Sequence, residues 1–407
     1  MKIKAIWLGL CVTFFSISSY GANATDKPST DLYRELELFT KALSHVERDY
    51  AEVPDNKKLV YGAIRGMLAT LDPHSIFMSP ELYKEIKVDT QGWFGGVGIE
   101  ITVKDGHLIV VAPIEGSPAE RAGIQPGDTI TKIDGTPVKG LSLTETVQKM
   151  RGAKGTKMVL TISRNGTSAP KEVTVLRDII HIKSVRSETL EDGYGYVRIN
   201  SFQEGTSKEL EKALKALEKK SDTGLQGLVI DLRNNPGGLL EEAVSISDKF
   251  LTQGTIVSTS SRGKEIDRRV ATVEGTHPHY PVVILVNRGS ASASEIVAAA
   301  LQENKRAVLM GTKTFGKGSV QTIFELGGGS AIKLTIAKYF TPKGKSIHGK
   351  GIQPDIIIEN PKRPLKGQPE TKESRSEEDV EAEEKANDYQ KKMALDYLKK
   401  HVKRPLS

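Results

Sequence analysis

The chain of 407 residues has room for two or three domains, each able to bury its own core. With 38% hydrophobic and 27% charged residues it has the make-up of a soluble globular protein, which excludes wholesale disorder and a polytopic membrane protein. A formal charge of +7, spread over interleaved Lys and Asp/Glu, gives no support to a nucleic-acid partner.

Met1-Lys2-Ile3-Lys4 is a short basic start, and Ala5 to Ser19 is an uncharged apolar run. At about 15 residues that run is short of the ~20 a membrane-spanning helix needs. Ala22-Asn23-Ala24 follows as a small-x-small cleavage pattern. Residues 1–24 therefore read as a cleaved secretory signal, which implies export; an uncleaved anchor, leaving the protein membrane-associated, is the alternative. The short basic start suits a bacterial periplasm. The single Cys11 lies inside the apolar run. Cleavage after Ala24 leaves no cysteine, which removes thiol catalysis, disulfides and Cys-based zinc sites together.

Residues 25–90 read as a helical region. Leu36, Phe39, Leu43 and Val46 recur at helical spacing, and Leu59, Ala63, Ile64, Met67, Leu68 and Leu71 form a second stripe. Leu71-Asp72-Pro73-His74-Ser75 breaks the pattern. Residues 91–168 change to glycines and short alternating strands. Ile99–Val103 and Leu108–Val111 flank a hairpin signal at Asp105-Gly106. Helices are expected at Ser117–Gly123 and Leu143–Met150, and a closing strand at Met158–Ile162.

Residues 169–358 alternate strand and helix. Leu228–Leu232 and Pro281–Val286 are nearly continuous apolar runs, which suit strands buried on both faces of a mostly parallel sheet with helices on either side. From 359 the chain is Pro/Lys/Glu-rich. Residues 376–400 form at most a polar helix with Tyr389, Met393, Leu395 and Leu398 as its apolar contacts, read as exposed, at an interface, or disordered.

Three segments of this third region carry candidate chemistry. Gly289-Ser290-Ala291-Ser292-Ala293-Ser294-Glu295-Ile296 joins a core strand to an amphipathic helix. A serine there is held near the N–H groups of a helix start, where an acyl-transfer nucleophile gains most. Gly311 to Gln321 comes near a phosphate-binding loop, but Gly318 stands where Ser or Thr must follow Lys317, and a strand rather than a helix follows. What remains is a lysine on a Gly-flanked turn. Burial that lowers its pKa would let it serve as the base for a serine hydroxyl. Gln321 cannot titrate and is placed to orient that amine. Asp231-Leu232-Arg233-Asn234-Asn235-Pro236-Gly237-Gly238 ends a core strand in a tight turn at the sheet's carboxyl edge, where α/β sheets place their sites. The N–H groups of Gly238 and Ala293 together would form an oxyanion hole. Asp231 and Arg233 read as a pair that fixes the turn.

With these residues in view the chain resembles the carboxyl-terminal processing (tail-specific) serine proteases. The resemblance rests on Gly289–Ile296, Thr314-Phe315-Gly316-Lys317-Gly318 and Asp231–Gly238. It extends through Leu71–Ser75, Gly195–Ile199 and Gly351-Ile352-Gln353-Pro354-Asp355, in family order from about residue 30 to 358. It implies Ser292 as nucleophile, Lys317 as general base, Gln321 as orienter, and the amides of Gly238 and Ala293 as oxyanion donors. Sequence physics alone does not choose among Ser290, Ser292 and Ser294; the resemblance selects Ser292. Residues 91–168 resemble a PDZ domain whose carboxylate-binding loop is Gly95-Gly96-Val97-Gly98-Ile99, the peptide adding as a strand beside Ile99–Val103.

The expected architecture is a multidomain α/β protein: a helical N-terminal region, a PDZ-like β-sandwich, a mixed α/β peptidase core (a crotonase-like sheet with helices) and a helical C-terminal tail. No cofactor, metal or nucleotide is expected. The expected partners are protein substrates with free C-terminal tails, a second copy through the N- and C-terminal helices, and, as in some relatives, an adaptor protein. Two rivals stand. One is a Ser/His/Asp hydrolase using His348; the other is a PDZ scaffold with an inactive core. His277-Pro278-His279 reads as a surface loop rather than a metal site.

Overall fold

The computed structural model describes residues 30–359 and 388–401, apart from 105, 165–168, 223 and 278–279. The expected signal segment, Cys11 and most of the C-terminal tail lie outside the described residues. The chain divides into two compact units, residues 1–67 and 68–407. The first holds α1 (Thr30–Asp49) and most of α2 (Asn56–Ala69). Within α1, Leu32, Leu36 and Phe39 are exposed, and their spacing places them on one helix face.

The second unit opens with β1 (Ile76–Met78) and α3 (Pro80–Gln91). Ser79 caps α3 through Leu82 N, with Pro80 in the first turn and Gly92 in the left-handed region at its end. The expected helical region is thus interrupted: Ile76–Met78 is a strand paired with residues 331–333. Three residues are too few for a periodicity, and their partner lies far along the chain.

The PDZ-like module follows: β2 (Trp93–Gly96), β3 (Ile99–Lys104), β4 (His107–Pro113), α4 (Pro118–Arg121), β5 (Thr129–Ile133), β6 (Thr136–Pro137), α5 (Leu143–Met150), β7 (Lys157–Ser163), β8 (Lys171–Leu176) and β9 (Asp178–His181). Strands β3, β4, β5, β7 and β8 run in that order in an antiparallel sheet, with β6 on β5. Val110, Ile130, Met158, Leu160, Ile162 and Val175 fill its core. The sheet runs past the expected boundary at 168, because the whole of β8 pairs with β7 and buries Val173 and Val175 in the same core.

The α/β core is built on β10 (Val185–Glu191), β11 (Tyr194–Ile199), β12 (Gly227–Asp231), β15 (Val282–Val286), β16 (Ala307–Gly311) and β19 (Ile356–Ile357), in that order. From β11 onward all pairs are parallel. Every residue of β12 and β15 is buried, as their continuous apolar runs require. Leu228, Ile230, Val282 and Ile284 face α6 (Thr206–Lys220), α7 (Leu240–Asp248) and α8 (Ala293–Glu303). Val229, Val283 and Leu285 face α9 (Tyr389–His401), whose Ala394 and Leu398 are fully buried. The tail helix is therefore one layer of the core. A second, antiparallel sheet joins β1 with β13 (Thr255–Ser261), β14 (Lys264–Val270), β17 (Ser319–Glu325) and β18 (Ala331–Phe340). The loop that carries Lys317 lies between β16 of the first sheet and β17 of the second.

Candidate active site

The three candidate serines are separated by their environments. Ser290 Oγ donates to Leu232 O at 2.7 Å and Ser294 Oγ to Asn235 O at 2.9 Å; both residues are fully buried. Their hydroxyls are spent fastening the loop that carries Ser292 to the strand-end turn after β12. Ser292 is half-buried and takes φ 55°, ψ −115°, a conformation that L residues seldom hold without surrounding constraint. Its hydroxyl lies against that of Tyr339, which in turn donates to Lys317 O.

The strand-end turn is seated against this serine. Asn235 O accepts Ala291 N at 3.0 Å, and Asn234 and Asn287 exchange hydrogen bonds of 2.9 and 2.8 Å. A Cβ on Gly237, at φ +100°, would stand 2.6 Å from Ala291 O and 2.8 Å from both Ala293 N and Ser292 Cβ. Gly238, at φ +146°, packs equally hard on Phe202 O. Gly237 N is committed to Asn235 Oδ1 at 2.9 Å. Gly238 N donates to no acceptor among the described residues. Ala293 opens α8, where a helix start leaves its N–H groups without internal partners. The N–H groups of Gly238 and Ala293 are thus left open among the described residues.

The base loop is attached by a residue that sequence reasoning passed over. Glu295 is fully buried, and its carboxylate accepts four hydrogen bonds: Thr314 Oγ1 at 2.5 Å, Gly316 N at 2.7 Å, Lys317 N at 2.8 Å and Ser292 N at 2.9 Å. Phe315 N adds a bond to Ser290 O at 3.0 Å. The signal was present, since Ser292-x-x-Glu295 at a helix start is the capping-box spacing. Tyr339 had no such local signal.

Lys317 is half-buried, and burial first, then repulsion from Lys333, holds its amine below the ordinary lysine value. The 71–75 turn faces it: burial and then the Lys317 charge push His74 below the usual histidine range. Asp72 ties this turn down, accepting His74 N at 2.8 Å and Thr335 Oγ1 at 3.2 Å. Gln321 departs from its expected part. Its Nε2 donates to Ser319 Oγ at 2.7 Å and more weakly to Thr335 Oγ1 at 3.4 Å; among the described residues it makes no bond to the lysine amine. The strand places residues 319 and 321 on the same face, so the nearer partner takes the amide. His348 is exposed on its loop, where its backbone is packed on Gly318.

In the PDZ-like module a small apolar groove lies between β3 and α5, lined by Phe94, Val97, Gly98, Ile99, Ile101, Val147, Met150 and Arg151. Gly95 and Gly96 are not part of an open turn as expected: they are strand residues of β2, paired with Ile179 and Asp178 of β9. The turn proper is Val97-Gly98. Arg151, at the end of α5, adds a charge that the sequence reading omitted. Its guanidinium sits 5.2 Å from the Phe94 ring centre, and its buried Nε meets no hydrogen-bond partner among the described residues.

Among the described residues no three His, Cys, Asp or Glu side chains converge as a metal site, and no helix is long and apolar enough to cross a membrane.

Residues 193–358 match the peptidase family S41, residues 109–164 the PDZ domain, and residues 14–82 the activating protease CtpB N-terminal domain. A carboxy-terminal-processing protease of Bartonella bacilliformis is 45% identical over 339 residues, covering 83% of this chain and 78% of the relative. The carboxy-terminal processing protease CtpA of Bacillus subtilis is 42% identical over 331 residues, covering 80% and 70%. Among solved structures, a photosystem II D1 C-terminal processing protease is 33% identical, covering 79% of this chain and 86% of that one, at a TM-score of 0.46. From the family matches and the identity shared with these relatives, the chain belongs to the carboxy-terminal processing proteases, serine peptidases of family S41 that carry a PDZ domain.

Proposed function

We propose that the chain cleaves protein substrates near their free carboxyl ends with Ser292 as nucleophile and Lys317 as general base. The observation that carries this reading is the division of labour among the serines. Ser290 and Ser294 are bound to the strand-end turn, while Ser292 is not, and it sits next to the open N–H of Ala293 on a loop pinned to that of Lys317. A neutral Lys317 amine takes the Ser292 proton as Oγ attacks the scissile carbonyl. The oxyanion forms against Gly238 and Ala293 N–H. Collapse breaks the C–N bond, and the Lys317 ammonium returns its proton to the leaving amine. Water then attacks the acyl-enzyme by the same route and releases Ser292. Gln321 acts one step back, bracing Ser319 and Thr335 on the strands that carry the base.

The groove between β3 and α5 is assigned to the substrate's terminal residues. Its apolar walls suit an apolar last side chain, and Gly98 N–H with Arg151 suits the carboxylate. Export to the periplasm, with envelope proteins as substrates, is the reading of the basic start, apolar run and Ala22-Asn23-Ala24. The exposed Leu32, Leu36 and Phe39 of α1 favour self-association by that helix. An adaptor would reveal itself as turnover appearing only when a second envelope protein is added.

The test compares cleavage of an unfolded reporter with an apolar carboxyl terminus by the mature protein and by Ser292→Ala, Lys317→Ala and His348→Ala. Loss with the first two and retention with the third is expected. Full activity in Lys317→Ala with loss in His348→Ala would replace the dyad by a histidine-based triad.

A further inference from the structure

The turn that offers Gly238 N–H to the reaction is held by a residue from the other end of the chain. Arg233, two residues past β12, is buried at 8% exposure. One side of its guanidinium meets Asp231, through Nε at 2.9 Å and Nη2 at 2.7 Å. The other side meets α9: Nη1 donates to Asp388 Oδ1 at 2.8 Å and Gln390 Oε1 at 2.9 Å, and Nη2 to Asp388 Oδ2. This is a two-pronged Arg–carboxylate fork, the geometry that fixes both partners in orientation. Asp388 also accepts Lys391 N at 3.0 Å, so the same carboxylate caps the helix. The helix is seated independently by Ala394 and Leu398 and by ion pairs of Lys391 with Glu188 and Lys399 with Glu191.

Apolar burial alone would dock α9. A buried ion pair adds little to stability over an apolar contact, and its attested use is to select one arrangement. Here the arrangement selected is that of the residues leading into Asn234–Gly238, in which Gly237 is packed against Ser292 and Ala293 and Gly238 against Phe202. We infer that Asp388 is a positioning residue for peptide hydrolysis: its carboxylate, delivered by the C-terminal helix, fixes Arg233 and through it the turn that presents Gly238 N–H to the oxyanion. The residue that caps the C-terminal helix, rather than the helix's buried face, then acts on the active site. The inference rests on the oxyanion assignment made above.

The experiment uses the mature chain, a reporter whose cleaved bond has been mapped, and the same reporter with sulfur in place of that bond's carbonyl oxygen. Three variants are compared with the unmodified protein. Asp388→Asn and Asp388→Ser both keep a helix cap but remove the charged fork. Leu398→Ala loosens the helix without touching Arg233. The unmodified protein should prefer the oxygen substrate strongly, because donors placed for an oxyanion fit sulfur poorly. Both Asp388 variants should lose kcat by about tenfold or more, with KM within about twofold, since about 1 Å of misplacement costs up to a hundredfold. Their oxygen-over-sulfur preference should fall in step, while Leu398→Ala lowers the melting temperature and leaves kcat and the preference unchanged. Wild-type kcat in the Asp388 variants, an equal kcat loss in Leu398→Ala, or failure of both Asp388 variants to fold overturns the positioning role. No oxygen preference in the unmodified protein instead overturns the oxyanion assignment itself.

Discussion

Ser292 and Lys317 are coupled through a single carboxylate oxygen: the main-chain N–H of each donates to Glu295 Oε2, at 2.9 and 2.8 Å. The two loops come from either side of β16, and nothing in their own sequences brings them together. Glu295 does so from the first turn of α8, where a negative charge is favoured by the helix dipole. Its second oxygen takes Thr314 Oγ1 and Gly316 N. Four donors converge on a fully buried group, so the charge is compensated by hydrogen bonds alone.

Glu295→Gln tests this junction with almost no change of shape. One oxygen becomes an NH2 facing donors, leaving two buried N–H groups or an N–H and a hydroxyl without an acceptor. Each such loss at a charged acceptor is worth about 1.5–3 kcal/mol. The expected result is a lowered melting temperature and a kcat/KM reduced by roughly a hundredfold or more, following the displacement of both loops. A Gln variant with wild-type turnover would show that the two loops are positioned without Glu295.

Much of this site was legible because its parts are local. The continuous apolar runs of β12 and β15 announce strands buried on both faces, and the Pro-Gly-Gly turn and the small-residue loop follow directly from them. Ser292 to Glu295 even spells a capping box. The unread parts are those whose partners lie far away in sequence. Ile76–Met78 is a strand only because β18 lies beside it. Tyr339 reaches the nucleophile only through that same strand, and Asp388 finds Arg233 across 155 residues. For Gln321, spacing says only that it lies four residues past Lys317; that its Nε2 donates to Ser319 and Thr335, the second on the neighbouring strand, is set by the fold.

The pH dependence of turnover follows from the surroundings of Lys317. Burial and the Lys333 charge both disfavour the ammonium, so its pKa lies below the ordinary value. In the proposed mechanism the reactive form is the neutral amine. Activity should therefore rise with pH through this lowered pKa and level off above it. Lys333→Met removes a repelling charge and lets the Lys317 pKa climb, so the rising limb of kcat/KM should move to higher pH while its plateau is retained. A limb that stays in place, or moves to lower pH, would mean that the titrating group is not Lys317.

In the proposed reading, tail recognition turns on Arg151. Its guanidinium lines the groove beside Val97, Gly98 and Ile99, and its Nε is buried without a hydrogen-bond partner among the described residues. An unpaired buried donor is costly, and a carboxylate arriving in the groove would satisfy it. The Phe94 ring holds the cation in place meanwhile. Arg151→Gln keeps a donor of similar reach but removes the charge. For a reporter ending in a free carboxylate, KM should rise by about tenfold, the value of one charge-assisted hydrogen bond. For the same reporter with an amidated terminus, cleavage by the unmodified protein should already be weak, and the substitution should change it little. Equal losses on both reporters would make Arg151 a support of the α5–β2 junction, and the carboxylate would then be held by the Val97-Gly98 backbone alone.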